Sequence, residues 1–134
     1  MADGLLDTNI LIHWSRLDPG QLPDRFAITT VTLAELSAGV HAASDPATRA
    51  GRLELLQRAE SEFDPIPFDV AAARAYGRVT AAVAVLGRSP RSRVADLLIA
   101  AVAACHGLAL YTTNPGDYAG LDGVVEVVTV ARPA

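Results

Sequence analysis

Short apolar runs alternate along this chain with longer segments whose apolar positions recur at helical spacing. Gly4-Leu5-Leu6 ends at Asp7-Thr8-Asn9, and Ile10, Leu11, Ile12 and Trp14 continue it. This predicts a strand whose carboxyl end feeds directly into a helix, broken by Asp18-Pro19-Gly20. Phe26-Ala27-Ile28-Thr29 predicts a second strand, followed by a helix from about Val31 to Ala42. Asp45 and Pro46 supply an N-cap and a first-turn proline for the next helix, with Leu53, Leu55, Leu56 and Ala59 as its apolar stripe. Ile66-Pro67-Phe68 predicts a third strand, which its prolines confine to a sheet edge. Asp69 then caps an Ala-rich helix to Leu86, closed by Gly87. After a polar, basic loop from Arg88 to Arg93, a strongly apolar helix runs from Val94 to His106 and stops at Gly107. Leu108 to Tyr111 and Val124 to Val130 predict the fourth and fifth strands.

Strands alternating with helices imply a parallel sheet covered on both faces. The expectation is one three-layer α/β domain over residues 1–134, with no repeat or linker. Hydrophobic residues make up 51% and aromatics only 5%, so the core must be aliphatic. The mean hydropathy of +0.28 further predicts apolar surface covered by a partner or a second copy. The longest apolar stretch, Leu97 to Cys105, falls far short of the roughly 20 residues that span a bilayer. The amino terminus lacks the basic start of a secretory signal. Cys105 is the single cysteine and reads as a small core residue, so a reducing cytoplasm fits best.

Charge complicates the picture. A net charge of −4 is the wrong sign for a nucleic-acid binder. Carboxylates gathered around a cation would be neutralised, however, and Arg88, Arg91 and Arg93 crowd one loop. In an open parallel sheet the ligand crevice lies beyond the carboxyl ends of the strands, and right-handed crossovers bring helix N-termini to that edge. Asp7 follows the first strand and Asp117 the fourth, while Glu35 and Asp96 lie near the starts of two helices. Topology therefore predicts all four acids at one edge. A negative cluster with no basic partner in sequence calls for Mg²⁺ or Mn²⁺, and oxygen donors without a His or Cys set argue against zinc.

Each acid also has a plainer reading. Thr32 and Glu35 have the spacing of a capping box, Asp96 could complement a helix dipole, and Asp117 could make a turn in Asn-Pro-Gly-Asp. Asp69 and Asp45 fit helix caps. Asp7, between Leu6 and Thr8 in an apolar context, needs a partner to stay charged. His13 could approach Asp7, whereas His41 and His106 sit near helix C-termini, where a cation is favoured anyway. No Ser nucleophile motif, Walker loop or dinucleotide fingerprint is present.

Four segments taken in order carry a family likeness: Leu5-Leu6-Asp7-Thr8-Asn9, Thr32-Leu33-Ala34-Glu35-Leu36, Ala95-Asp96-Leu97-Leu98-Ile99-Ala100-Ala101, and Thr112-Thr113-Asn114-Pro115-Gly116-Asp117-Tyr118. Together they resemble the PIN domain, most closely the VapC-type toxins of bacterial toxin–antitoxin pairs, over essentially the whole chain. The resemblance implies a PIN-like α/β/α fold with a five-stranded parallel sheet of order 3-2-1-4-5. It implies an Mg²⁺- or Mn²⁺-dependent endoribonuclease cutting single-stranded RNA, usually dimeric and held inactive by a VapB-type antitoxin. Operator DNA would be reached only through that antitoxin. Family metal ligands carry over onto Asp7 and Asp96, with Glu35 and Asp117 as further acids of the pocket and Thr8 and Asn114 as its polar lining. The last motif often ends in Phe, where this chain has Tyr118. Arg88, Arg91 and Arg93 are candidates for backbone-phosphate contacts. Two other functions stand beside this one. The first is a non-catalytic PIN-like module acting through its antitoxin and operator complex. The second is a phosphatase with Asp7 as nucleophile, which Asn9 disfavours because such enzymes want a second Asp there.

Overall fold

The computed structural model describes residues 3–89 and 93–133. Its strands are β1 (Asp3–Leu6), β2 (Arg25–Ala27), β3 (Ala109–Thr112) and β4 (Val127–Thr129). Its α-helices are α1 (Thr8–Ile12), α2 (Thr30–Ala42), α3 (Pro46–Glu62), α4 (Val70–Val85) and α5 (Val94–His106). Local chemistry sets most of the helix ends. Asp45 and Asp69 accept hydrogen bonds from the Thr48 and Ala72 amides, capping α3 and α4. Gly107 takes a left-handed conformation (φ 64°) that ends α5 and turns the chain into β3.

All strand pairs are parallel, in the order β2-β1-β3-β4. Leu5 lies opposite Leu110 and Leu6 opposite Tyr111, so successive side chains alternate between the two faces of the sheet. Leu5 and Leu110 join the core formed with α4 and α5, including Ala72, Ala75, Val79, Leu97, Ile99 and Val102. Leu6 and Tyr111 join the opposite core with Ile10, Leu36 and Ala59. The many buried alanines of α4 and α5 let the two helices pack closely. Each fully buried Leu or Ile contributes about 1.5–3 kcal/mol. Gly4 is needed in β1 because a Cβ there would lie 2.6 Å from Cδ1 of Tyr111 and 2.8 Å from Cγ of Pro23.

The sheet differs from expectation at one edge. Among the described residues it has four strands, not five in the order 3-2-1-4-5. The segment expected as the third strand contributes a single parallel bridge, Ile66 with Thr29. Ile66 donates to Ile28 O at 2.9 Å and accepts from Thr30 N at 3.0 Å. Its neighbours Pro65 and Pro67 have no amide hydrogen to extend the ladder. A groove of about 430 Å³ is lined by Leu11, Ile12, Trp14, Phe26, Leu55 and Phe63 among others. Among the described residues, no helix is long and apolar enough to cross a membrane.

Candidate functional site

The carboxyl end of β1 delivers Asp7 into the interior, where only 3% of the residue is exposed. Its position as the N-cap of α1 lets Oδ1 accept from the Thr8 amide at 2.8 Å. Oδ2 accepts from Asn9 Nδ2 at 3.1 Å and from Thr112 Oγ1 at 2.8 Å. Thr112 ends the neighbouring strand, so the sheet itself aims this hydroxyl at Asp7. Thr112 Oγ1 also accepts from Asn9 Nδ2 and the Asn114 amide, while Asn9 Oδ1 receives the Thr113 amide. A connected polar network thus joins the ends of β1 and β3. Burial still outweighs these donors and raises the Asp7 pKa.

Glu35 approaches from α2 and accepts a 2.6 Å hydrogen bond from Thr8 Oγ1, which also lies 3.0 Å from Thr32 Oγ1. The capping-box alternative for Glu35 fails, because Thr29 is the N-cap of α2 and accepts from Thr32 N at 3.1 Å. Glu35 therefore points into the site as a half-buried carboxylate. Burial raises its pKa, and the negative charge of Asp7 adds to the effect.

Asp96 stands in the first turn of α5. Burial first, then the charges of Asp7, Asp117 and Glu35, push its pKa to about 7. Arg93 only partly offsets this, since its guanidinium is paired with Asp117 at 2.5 Å. The expectation that the acids lack a basic partner is thus corrected for Asp117, whose cation comes from the loop before α5. The mutual influence of Asp7, Glu35, Asp96 and Asp117 shows that they share one electrostatic neighbourhood. Among the described residues, no group of three or more His, Cys, Asp or Glu side chains is drawn together closely enough to hold a metal ion as it stands.

Of the remaining site candidates, Thr8 positions Glu35, and Asn114 lies half-buried at the start of the turn carrying Asp117. Arg88 donates to Gly116 O at 3.0 Å, tying the loop after α4 to the segment after β3. Arg91 lies outside the described residues. His13 contacts Arg16, not Asp7. Sequence reasoning passed over Asn9, Thr112 and Tyr118 as site residues. The signal for Thr112 was a polar residue at a buried strand position. Tyr118 is 2% exposed, and its hydroxyl lies close enough to Asp7 to favour that carboxylate's charged form. It is nonetheless out of hydrogen-bond geometry with every atom of the described residues.

This arrangement can be set beside known proteins. The PIN domain model matches residues 4–119, a span containing all four acids. "Ribonuclease VapC5" of Mycobacterium tuberculosis is 42% identical over 134 residues, covering 96% of each chain. "Ribonuclease VapC4" of the same organism is 37% identical over 135 residues, covering 94% of this chain and 95% of the relative. The solved structure of VapBC-5, a toxin–antitoxin system of Mycobacterium tuberculosis, includes a chain with a TM-score of 0.83 at 41% identity, covering 98% of this chain and 100% of that one. With the family match, the sequence identity and the fold in agreement over nearly the whole chain, it belongs to the PIN domain family, among its VapC-type toxins.

Proposed function

We propose that this toxin is an Mg²⁺- or Mn²⁺-dependent endoribonuclease that hydrolyses phosphodiester bonds in single-stranded RNA. The observation that carries the reading is Asp96, whose pKa is driven to about 7 beside three other acids at one sheet edge. Uncompensated charge of this kind is stabilised by a divalent ion. The donors are oxygens only, which suits Mg²⁺ or Mn²⁺. Relatives named as ribonucleases support the activity.

Asp7 and Asp96 would hold the ion, with Glu35 and Asp117 completing its surroundings. Such an ion supplies Lewis acidity, activating water and stabilising charge on the phosphate. Asn9 and Thr112 fix the Asp7 carboxylate in place, and Thr8 does the same for Glu35. Pre-set orientation of this kind removes reorganisation from the reaction. Asn114 would line the pocket, and Arg88, tied to the segment after β3, is a candidate for contact with RNA phosphates. Arg93 steadies Asp117 and lends positive charge to the entrance. Cleavage would leave a 5′-phosphate and a 3′-hydroxyl.

A VapB-type antitoxin restrains the toxin in this reading, consistent with the toxin–antitoxin system whose structure it resembles. The apolar groove beside Trp14 and Phe26 offers that antitoxin a surface. A homodimer accounts for further exposed apolar residues such as Val70 and Val85. The test is cleavage of labelled RNA with Mg²⁺ by the Asp7→Asn and Asp96→Asn variants. Loss of cleavage of at least 100-fold in both is expected, and undiminished activity in both defeats the reading.

A further inference from the structure

Among the described residues, two buried side-chain oxygens have no hydrogen-bond partner: Thr113 Oγ1 and the Tyr118 hydroxyl. Both belong to the short segment that leaves β3 and carries Asp117. Buried polar groups are normally satisfied, so two orphans on one site-forming segment require an explanation. Tyr118 is the more telling of the two. Its ring packs into the core with Leu97, Val79 and Leu121, a role a phenyl ring would fill equally well. Its hydroxyl instead meets the charges of Asp7, Asp96 and Asp117.

An ionised carboxylate only accepts hydrogen bonds, so toward the charged form of Asp7 the hydroxyl acts as a donor. Asp7, the closest of them in effect, already takes donors from Thr8, Asn9 and Thr112. The Tyr118 hydroxyl lies near the Asp7 carboxylate without forming a well-aligned hydrogen bond to it, so among the described residues this donor stays unsatisfied.

We propose that Tyr118 is a positioning residue of the cation site, its hydroxyl donating to an oxygen of the bound ion's coordination shell. This rests on the divalent-ion reading given above. It predicts that removing the hydroxyl relieves the protein without cation and weakens the protein with it. A purely structural tyrosine would move both states alike.

The decisive measurement is Mn²⁺ titration by calorimetry, with thermal melts, on the full chain and on Tyr118→Phe. We expect the Mn²⁺ dissociation constant to rise at least tenfold, the magnitude typical of lost outer-shell hydrogen bonds. The metal-free melting temperature should hold or increase, and the Mn²⁺-induced gain should shrink. Tyr118→Met should weaken Mn²⁺ binding in the same way, and Tyr111→Phe, on the opposite core, should leave it unchanged. Equal affinity within twofold for Tyr118→Phe overturns the role of Tyr118 while leaving the cation reading intact, as does an equal loss in Tyr111→Phe. Failure of the unmodified protein to bind Mn²⁺ overturns the cation reading itself.

Discussion

Replacing Asp96 by Asn should stabilise the cation-free protein, and by an amount that depends on pH. In the folded chain, burial and three neighbouring acids raise its pKa from 3.8 to about 7. The folded state thus keeps a proton that the unfolded state has already released. Below about pH 4 the carboxyl is neutral in both states and Asp96 imposes no charge penalty. Stability falls as pH climbs from there to 7, and the full penalty persists above 7. At about 1.36 kcal/mol per pH unit the displacement corresponds to at most about 4 kcal/mol. Asp96 is only half-buried, so solvent screening reduces the expected gain of Asp96→Asn at pH 8 to about 2 kcal/mol. For a chain of this size that is a rise of roughly 5–10 °C in melting temperature. Melts of both proteins in chelator at pH 4 and pH 8 provide the assay, with the gain present at pH 8 and absent at pH 4. Millimolar Mn²⁺ should reverse the order at pH 8, because only the carboxylate offers the ion a negative ligand. A variant no more stable than its parent at pH 8 in chelator would refute the crowding of charge on which the site is argued.

Thr112→Val should lower stability by about 2–3 kcal/mol, since it removes one of the donors to the buried Asp7 carboxylate and the acceptor for Asn9 and the Asn114 amide. Thr113→Val, one position on, deletes an orphaned hydroxyl and should be neutral or stabilising by about 1 kcal/mol; urea titration of the pair checks the contrast. Ile12→Arg places a charge in the apolar groove at a residue 56% exposed. It should leave the melting temperature within a few degrees but weaken antitoxin binding at least tenfold in a pull-down titration, and unchanged binding would remove the groove from the interface.

Much of this protein was legible before any coordinates because its signals are local. Asp45 with Pro46, Asp69 and Gly107 mark helix ends through bonds reaching only a few residues. The apolar runs around Leu5 and Leu110 carry the sheet, and parallel topology brings the ends of β1 and β3 to one edge. The expected third strand was misread because Ile66 matches strand composition, whereas pairing depends on the amides that Pro65 and Pro67 lack. The T-x-x-E spacing of Thr32 and Glu35 was ambiguous for a similar reason. Which threonine caps α2 depends on where the preceding chain leaves the sheet, and that residue is Thr29.

The sequence by itself determined the order of elements, the aliphatic core and the four candidate acids, by type and place along the chain. Only the tertiary structure decided how those acids differ from one another. Asp7 is buried and held by three donors, Glu35 is clamped by Thr8, Asp117 is neutralised by Arg93, and Asp96 is left to absorb the repulsion of the rest. The Tyr118 hydroxyl belongs to the same class of fact. The pairing of Arg93 with Asp117 spans 24 positions, and that of Thr112 with Asp7 spans 105. Hydrogen bonds and charge interactions act over a few ångströms of space, a distance that position in the sequence does not record until the sheet has formed.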